Sequence, residues 1–99
     1  MSKRAELAKE MSKSKAIRFF LNMIKYNNDC LAINIRDYNE SSKNKDQDIA
    51  YRLYKHNKEC FEDSVRDIKE AFGTTTPEKV KMEIKETNDM IKNFEASLE

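Results

Sequence analysis

The chain has 99 residues, of which 37% are charged and 38% hydrophobic, and its 19 basic and 18 acidic side chains nearly balance. This length suits a single domain with one modest core, and the balanced charge gives no support to a whole-protein role as a polyanion binder or nucleic-acid mimic. One Gly and one Pro leave almost no turn formers, which argues against sandwiches, barrels, Rossmann-type sheets and glycine-rich phosphate loops. The composition therefore predicts an all-α fold, with residues 1–99 as a single helical domain.

The first long segment has the richest apolar pattern. Apolar or amide side chains recur from Ile17 to Tyr38 at spacings of three and four, which predicts a helix. Two details stay open. Asn27 and Asn28 can kink or break a helix, because their side chains compete for backbone hydrogen bonds. Residues 31–35 also alternate as a strand would, although a lone strand has no partner here.

The regions on either side of this segment are less regular. Residues 1–12 either extend the helix or fray. Residues 39–45 are polar and rich in turn formers, so they are predicted to form the connecting loop.

Two further helices follow. The second runs from about Asp46 to Phe72, and Gly73 is its natural left-handed C-cap. Its predicted core-facing stripe, which drifts around the helix because its first spacings are four residues, consists of Ile49, Leu53, Asn57, Phe61, Val65, Ile68 and Phe72. The third covers residues 77–97, with Thr76 as N-cap and Pro77 in the first turn. The short link between them favours antiparallel neighbours. Together the segments predict an antiparallel three-helix bundle with coiled-coil-like packing.

The chain offers few groups for catalysis or metal binding. His56 and Cys60 are four residues apart, and Cys30 on the first helix is a third candidate ligand. Small buried thiols beside a core histidine are the commoner arrangement, so we expect no metal and no cofactor, and the helix spacing disfavours a Cys30–Cys60 disulfide. With a single histidine and no glycine-rich oxyanion loop, the chain is not expected to be an enzyme.

The location follows from what the sequence lacks. No signal-peptide pattern is visible at the N-terminus, and two unpaired cysteines are typical of a reducing compartment, so we expect a cytoplasmic protein. No run of apolar residues approaches the length of a membrane span, so no membrane partner is expected.

The first helix carries more apolar surface than one face can bury. Either this helix is central in the bundle, or it forms an interface with a partner or a second copy, and the interface is the preferred interpretation. Tyrosine is enriched at interfaces. The predicted contact residues are Phe19, Phe20, Met23, Tyr26, Ile33, Tyr51 and Tyr54. The preferred function is a small non-enzymatic interaction module, such as a regulator, inhibitor or assembly chaperone of a larger protein, and the chain itself is expected to form a homodimer.

The N-terminal segment supports an alternative function. Residues 1–18 hold two acidic side chains and six basic ones, Lys3, Arg4, Lys9, Lys13, Lys15 and Arg18. The six basic side chains suit contact with a phosphate backbone, although a solvated helix end is the commoner role for such a segment. The alternative is therefore a nucleic-acid-associated accessory factor. A further alternative is a minor structural protein of a viral or cellular assembly. Lys, Asn and Ile, which make up 31 of the 99 residues, have AT-rich codons, as is typical of many phage genomes.

Overall fold

The structure is a computed structural model that describes residues 2–99. It is all-α and 90% helical, and a short 3-10 turn, Gly73–Thr75, follows the third helix. The four helices are α1 (Lys3–Glu10), α2 (Lys13–Glu40), α3 (Asn44–Phe72) and α4 (Glu78–Ser97). Residues 31–35 are helical, and the described residues contain no strand. No helix in this part of the chain is long and apolar enough to cross a membrane.

The sequence predicts three helices, and the structure contains a fourth because the chain turns at Met11 and Ser12. The Ser2 hydroxyl oxygen accepts a hydrogen bond from the Ala5 N–H at 3.0 Å, and the Ser12 oxygen accepts one from the Lys15 N–H at 3.3 Å. Each serine therefore caps the start of a helix. Residues 3–10 form a helix of their own instead of extending α2.

α2 continues without a break through Asn27 and Asn28. The Asn27 side-chain oxygen lies 2.8 Å from the Ser64 hydroxyl on α3, and the Asn28 amide donates a hydrogen bond to the Thr87 hydroxyl on α4 at 2.8 Å. Because both amides find partners on neighbouring helices, they do not compete for the backbone of α2.

Side-chain hydrogen bonds show how α2 and α3 run. Asn27 pairs with Ser64. Two helical turns farther along α2, the Asn57 side-chain amide donates a hydrogen bond to the Asn34 side-chain oxygen at 2.6 Å. Residue numbers rise on α2 while they fall on α3, so the two helices are antiparallel. Both pairs give the same register, because a step of seven residues along α2, from Asn27 to Asn34, matches a step of seven residues back along α3, from Ser64 to Asn57.

The link between α2 and α3 is shorter than the sequence predicts and covers residues 41–43 only. The Gln47 side-chain amide donates to the carbonyl oxygens of Tyr38 and Ser41, each at 3.3 Å. These bonds satisfy carbonyl groups at the end of α2, where the helix backbone has no partners of its own. α2 therefore extends to Glu40 and α3 begins at Asn44.

α2 lies between α3 and α4 and packs closely against both, whereas α3 and α4 approach each other less closely. The Tyr38 ring meets the Phe94 ring edge-on at 5.3 Å, so α4 runs parallel to α2. The core follows α2 from end to end. Its largest fully buried side chains are Phe20, Ile24, Leu31, Tyr54, Phe61, Ile68 and Val80.

Glu95 joins α4 to α3 at one end of the molecule. Tyr54 donates a hydrogen bond to the Glu95 carboxylate at 3.1 Å, and the Lys58 ammonium donates to both carboxylate oxygens at 2.9 and 2.8 Å. Burial raises the pKa of Tyr54 well above the usual tyrosine range, so its hydroxyl remains a donor. We call these three residues the Glu95 cluster.

α3 ends at Phe72 because Gly73 leaves the helical conformation. Its φ of 56° is positive, as a glycine cap predicts, but its ψ of −126° lies outside the left-handed helical region. The predicted left-handed cap is therefore incorrect in detail. The Gly73 N–H still bonds the Lys69 carbonyl and closes the last turn. α4 then begins at Glu78, with Pro77 at the N-cap position instead of in the first turn.

Gly73→Ala should lower the free energy of unfolding by about 1–3 kcal/mol, because a residue with a Cβ is strained at this φ. Nothing lies within 4 Å of an added Cβ, so crowding is not the cause. Chemical denaturation measures the difference. D-alanine at this position, introduced by ligating a synthetic 60–99 segment at Cys60, should restore stability because D residues favour positive φ. Equal loss with both enantiomers would show that φ is not the limiting factor.

The Glu95 cluster should make stability depend on pH in the acid range. Hydrogen bonds from Lys58 lower the pKa of Glu95 below the ordinary value of about 4.3. Its contribution is therefore complete above that value and is lost as the pH falls through the folded-state pKa. The stability difference between wild type and Glu95→Gln should shrink between about pH 6 and pH 3. Glu86→Gln, at an exposed α4 position, is the control, and a pH-independent difference for Glu95→Gln would refute the assignment.

Candidate interaction surface

Of the seven predicted contact residues, two are exposed and two are buried in the core. Tyr26 and Ile33 are exposed on α2, with 68% and 46% of their surface accessible. Phe20 and Tyr54 lie in the core and are almost completely buried. They cannot belong to an exposed contact surface of this chain, and the expectation for these two residues is corrected. Phe20 packs edge-on against Phe72 at 5.7 Å, which uses its ring inside the molecule.

The other three predicted contact residues are intermediate. Phe19, Met23 and Tyr51 are half-buried and pack against the core. The Phe19 ring meets the Phe20 ring edge-on at 5.1 Å. These side chains mainly complete the core, and their exposed edges add little to a contact surface.

The structure exposes two apolar residues that the sequence places in the core. Ile49 and Leu53 on α3 are 48% and 49% accessible. Ile49, Leu53 and Asn57 follow one another at steps of four residues. Because an α-helix has 3.6 residues per turn, each such step moves the side chain about 40° around the helix. This drift carries Ile49 and Leu53 out of the core, where Ala50 and Tyr54 take their places.

By the register of the two helices, these residues lie on the same side of the α2–α3 pair as the exposed residues of α2. We define the α2–α3 stripe as six residues that recur at spacings of three, four or seven on the two helices: Tyr26, Cys30, Ile33, Ile49, Leu53 and Cys60. Cys30 lies one turn from Tyr26 on α2, and the register of the two helices sets Cys60 beside it on α3. The Cys30 thiol raises the pKa of Tyr26, and Cys60 adds to the same effect. The two helices therefore present these side chains on a shared face.

α1 covers the same face farther along. Arg4 Nε lies 2.6 Å from the Asp67 carboxylate on α3, and the Arg4 guanidinium contacts the Met23 sulfur on α2 at 2.9 Å. Met23 precedes Tyr26 by three residues, and Asp67 follows Cys60 by seven, so both lie on the faces that carry the stripe. The stripe is therefore the uncovered remainder of a groove that holds a helix at its other end.

The far end of the stripe is acidic. A cleft of about 470 Å³ lies beside the link between α2 and α3, with Ile49, Ala50 and Leu53 in its wall. Its charged lining residues are three acids and one lysine: Asp37, Glu40, Asp46 and Lys43. A ligand of this end would gain from basic groups.

The thiols and the histidine lie along the stripe. The Cys60 sulfur is 3.7 Å from His56 Nε2, and both cysteines are free. Within residues 2–99, no group of three or more His, Cys, Asp and Glu side chains has the arrangement of a metal site. The structure thus brings His56 and Cys60 together as a pair and places them on the surface, not in the core.

The six basic residues proposed for nucleic-acid contact lie on two helices. Arg4 is bound to the buried carboxylate of Asp67 and already has an anionic partner. The other five are exposed on α1 and the first turns of α2: Lys3, Lys9, Lys13, Lys15 and Arg18. Their separation onto two helices divides the predicted basic segment.

Comparison of the chain with protein-family models, with curated proteins and with solved structures finds no match. The inference of function therefore rests on the surfaces of the molecule itself.

Proposed function

We propose that this chain is a small non-enzymatic protein-interaction module that docks a helix on the α2–α3 stripe. Such a module would act as a regulator, inhibitor or assembly chaperone of a larger protein. The observation that supports this function most directly is the uncovered apolar groove in line with α1. In this proposal α2, α3 and α4 are the scaffold, an antiparallel three-helix bundle with coiled-coil-like packing.

Exposed apolar surface supplies the driving force. Tyr26, Ile33, Ile49 and Leu53 are each about half exposed or more. Complete burial of one large apolar side chain contributes about 1.5–3 kcal/mol, so covering the exposed parts of four contributes several kcal/mol. A contiguous patch of this kind on a small protein marks an interaction site more often than a scatter of single residues does.

α1 indicates what kind of partner fits. It lies on the groove through the small side chains Ala5 and Ala8, which are buried, and it is anchored by an arginine on an aspartate. A second helix in the same groove would need an apolar face toward Ile33 and Leu53. Basic side chains at one end would meet the acidic residues near the α2–α3 link.

A second copy of the chain is the simplest partner, since a two-fold axis lets the same stripe meet itself. Replacing Leu53 with a charged residue would then place charge twice in the interface. Because Leu53 is half exposed, such a change leaves the core intact. Met82 on α4, 59% exposed and outside the stripe, offers a matched control.

In sedimentation experiments at tens of micromolar, wild type is expected to be larger than the 11.7 kDa monomer. Ile33→Asp and Leu53→Asp should each shift it to monomer, whereas Met82→Asp should not, and circular dichroism should show unchanged helix content in all three. A fully soluble wild-type monomer that behaves like every variant would contradict the use of the stripe for self-association.

The nucleic-acid alternative predicts a different result. Protein purified at low salt would carry nucleic acid that high salt removes, because phosphate contacts are salt-sensitive. Lys13→Glu with Lys15→Glu would abolish this recovery, and Leu53→Asp would not affect it. That outcome would favour the basic segment over the stripe as the functional surface.

A further inference from the structure

α3 and α4 are joined at both ends and separated between them. The Glu95 cluster connects them at one end, and the 73–77 link connects them at the other. Between these points the two helices do not approach each other as closely as either approaches α2. In a bundle of three mutually packed helices this space would be filled by interlocking side chains.

The space is a cleft with an apolar wall. It has a volume of about 400 Å³, within the roughly 300–1,000 Å³ of many small-molecule sites. Val65 and Ile68 of α3 face Ile84 of α4 across it, and Gly73 and Thr76 close it at the end near the link. Ile68 is buried at its base, whereas Val65 and Ile84 are only partly covered.

All three charged residues that line this cleft are lysines: Lys69, Lys81 and Lys85. No acidic side chain from residues 2–99 is part of its lining. Lys81 has a distant ion pair with Glu78 at 3.7 Å, an exposed contact that contributes little. Three positive charges around an apolar wall complement a ligand that is both apolar and anionic.

Two of the three lysines, Lys81 and Lys85, line this cleft alone. The cleft shares Val65, Lys69 and Asn88 with a second cavity of about 290 Å³, which reaches Phe61 and is also lined by Glu62 and Arg66, so its charged residues are one acid and two bases. Beyond it, the Lys58–Glu95 ion pair crosses from α3 to α4. A ligand would therefore have its anionic group near the lysines and its apolar part directed toward Phe61.

We infer that the α3–α4 cleft binds a single-chain anionic amphiphile, an unbranched acyl chain with a carboxylate or phosphate head. The ion pair and the 73–77 link bound the cleft at both ends. A helix, which is 10–12 Å across with its side chains, needs far more space than the cleft's volume of about 400 Å³, whereas one extended chain does not. The three lysines supply the site for the head group.

Binding is tested by titrating dodecanoate, below its micelle concentration, into the full chain labelled with ¹⁵N. Saturable shifts in the backbone amides of Val65, Ile84 and Lys85 are expected. Dodecyl phosphate should bind similarly, and dodecanol and dodecyltrimethylammonium should bind about tenfold more weakly or worse, because they lack the negative charge. Which anionic head binds more tightly identifies the source of the ligand.

Matched lysine variants locate the head group. Lys81→Gln with Lys85→Gln should weaken dodecanoate binding by about tenfold. Lys55→Gln with Lys79→Gln removes the same charge from exposed positions outside the cleft lining and should leave the affinity unchanged. Ile84→Gln, which makes the wall polar, should also weaken binding.

Three results would overturn the inference: equal affinity for the cationic amphiphile, equal affinity in the two lysine double variants, or shifts confined to the α2–α3 stripe. Tighter binding of an acidic helical peptide than of either anionic amphiphile would also overturn it. The site is separate from the one proposed for helix docking, so Leu53→Asp should bind dodecanoate normally. Failure of either proposal is thus distinguishable from failure of the other.

Discussion

The register between α2 and α3 depends on two polar pairs in an otherwise apolar interface, Asn27 with Ser64 and Asn34 with Asn57. A buried polar group left without a partner costs about 1–3 kcal/mol. A slip of one helical turn would separate both pairs at once and place their polar atoms against apolar side chains. Polar residues at core positions are known to specify register in packed helices. The same register decides which α2 and α3 side chains share a face, so the position of the α2–α3 stripe follows from it.

The fold class follows from composition, because a chain with one glycine and one proline cannot turn often enough to build a sheet. The helix end at Phe72 also follows from a local signal, the glycine that comes directly after it. The break at Ser12 could have been found from its cap, but a serine inside a polar run is a weak signal. Which of Phe19 and Phe20 faces the core could not be predicted, since neighbours on a helix point about 100° apart and the direction of the partner helices decides. Ile49 and Leu53 were misplaced for the same reason.

Both candidate surfaces arise from the central position of α2. It packs against α3 and α4, so α3 and α4 need not meet, and the α3–α4 cleft lies where they do not. On the opposite side, α1 has eight residues and α2 has 28. At 1.5 Å per residue, α1 is about 12 Å long, whereas α2 is about 42 Å long. The α2–α3 stripe is the part that α1 is too short to cover. Its apolar residues then end at an acidic rim, whereas the cleft on the other side is rimmed by lysines.

The small side chains that seat α1 have a consequence for its dynamics. Ala5 and Ala8 bury far less apolar surface than the leucine, isoleucine and phenylalanine side chains beneath the other helices. Beyond them, the attachment includes the Arg4–Asp67 ion pair, the contact of Arg4 with the Met23 sulfur, and the hydrogen bond from the Ser2 N–H to Glu70. Segments held this lightly open locally at a small fraction of the global unfolding free energy. Each opening of α1 uncovers the groove next to Met23, so α1 would compete with a helix docked on the α2–α3 stripe, as proposed above, for the boundary between them. Under that proposal, the opening equilibrium of α1 would set how far along α2 the docked helix could extend.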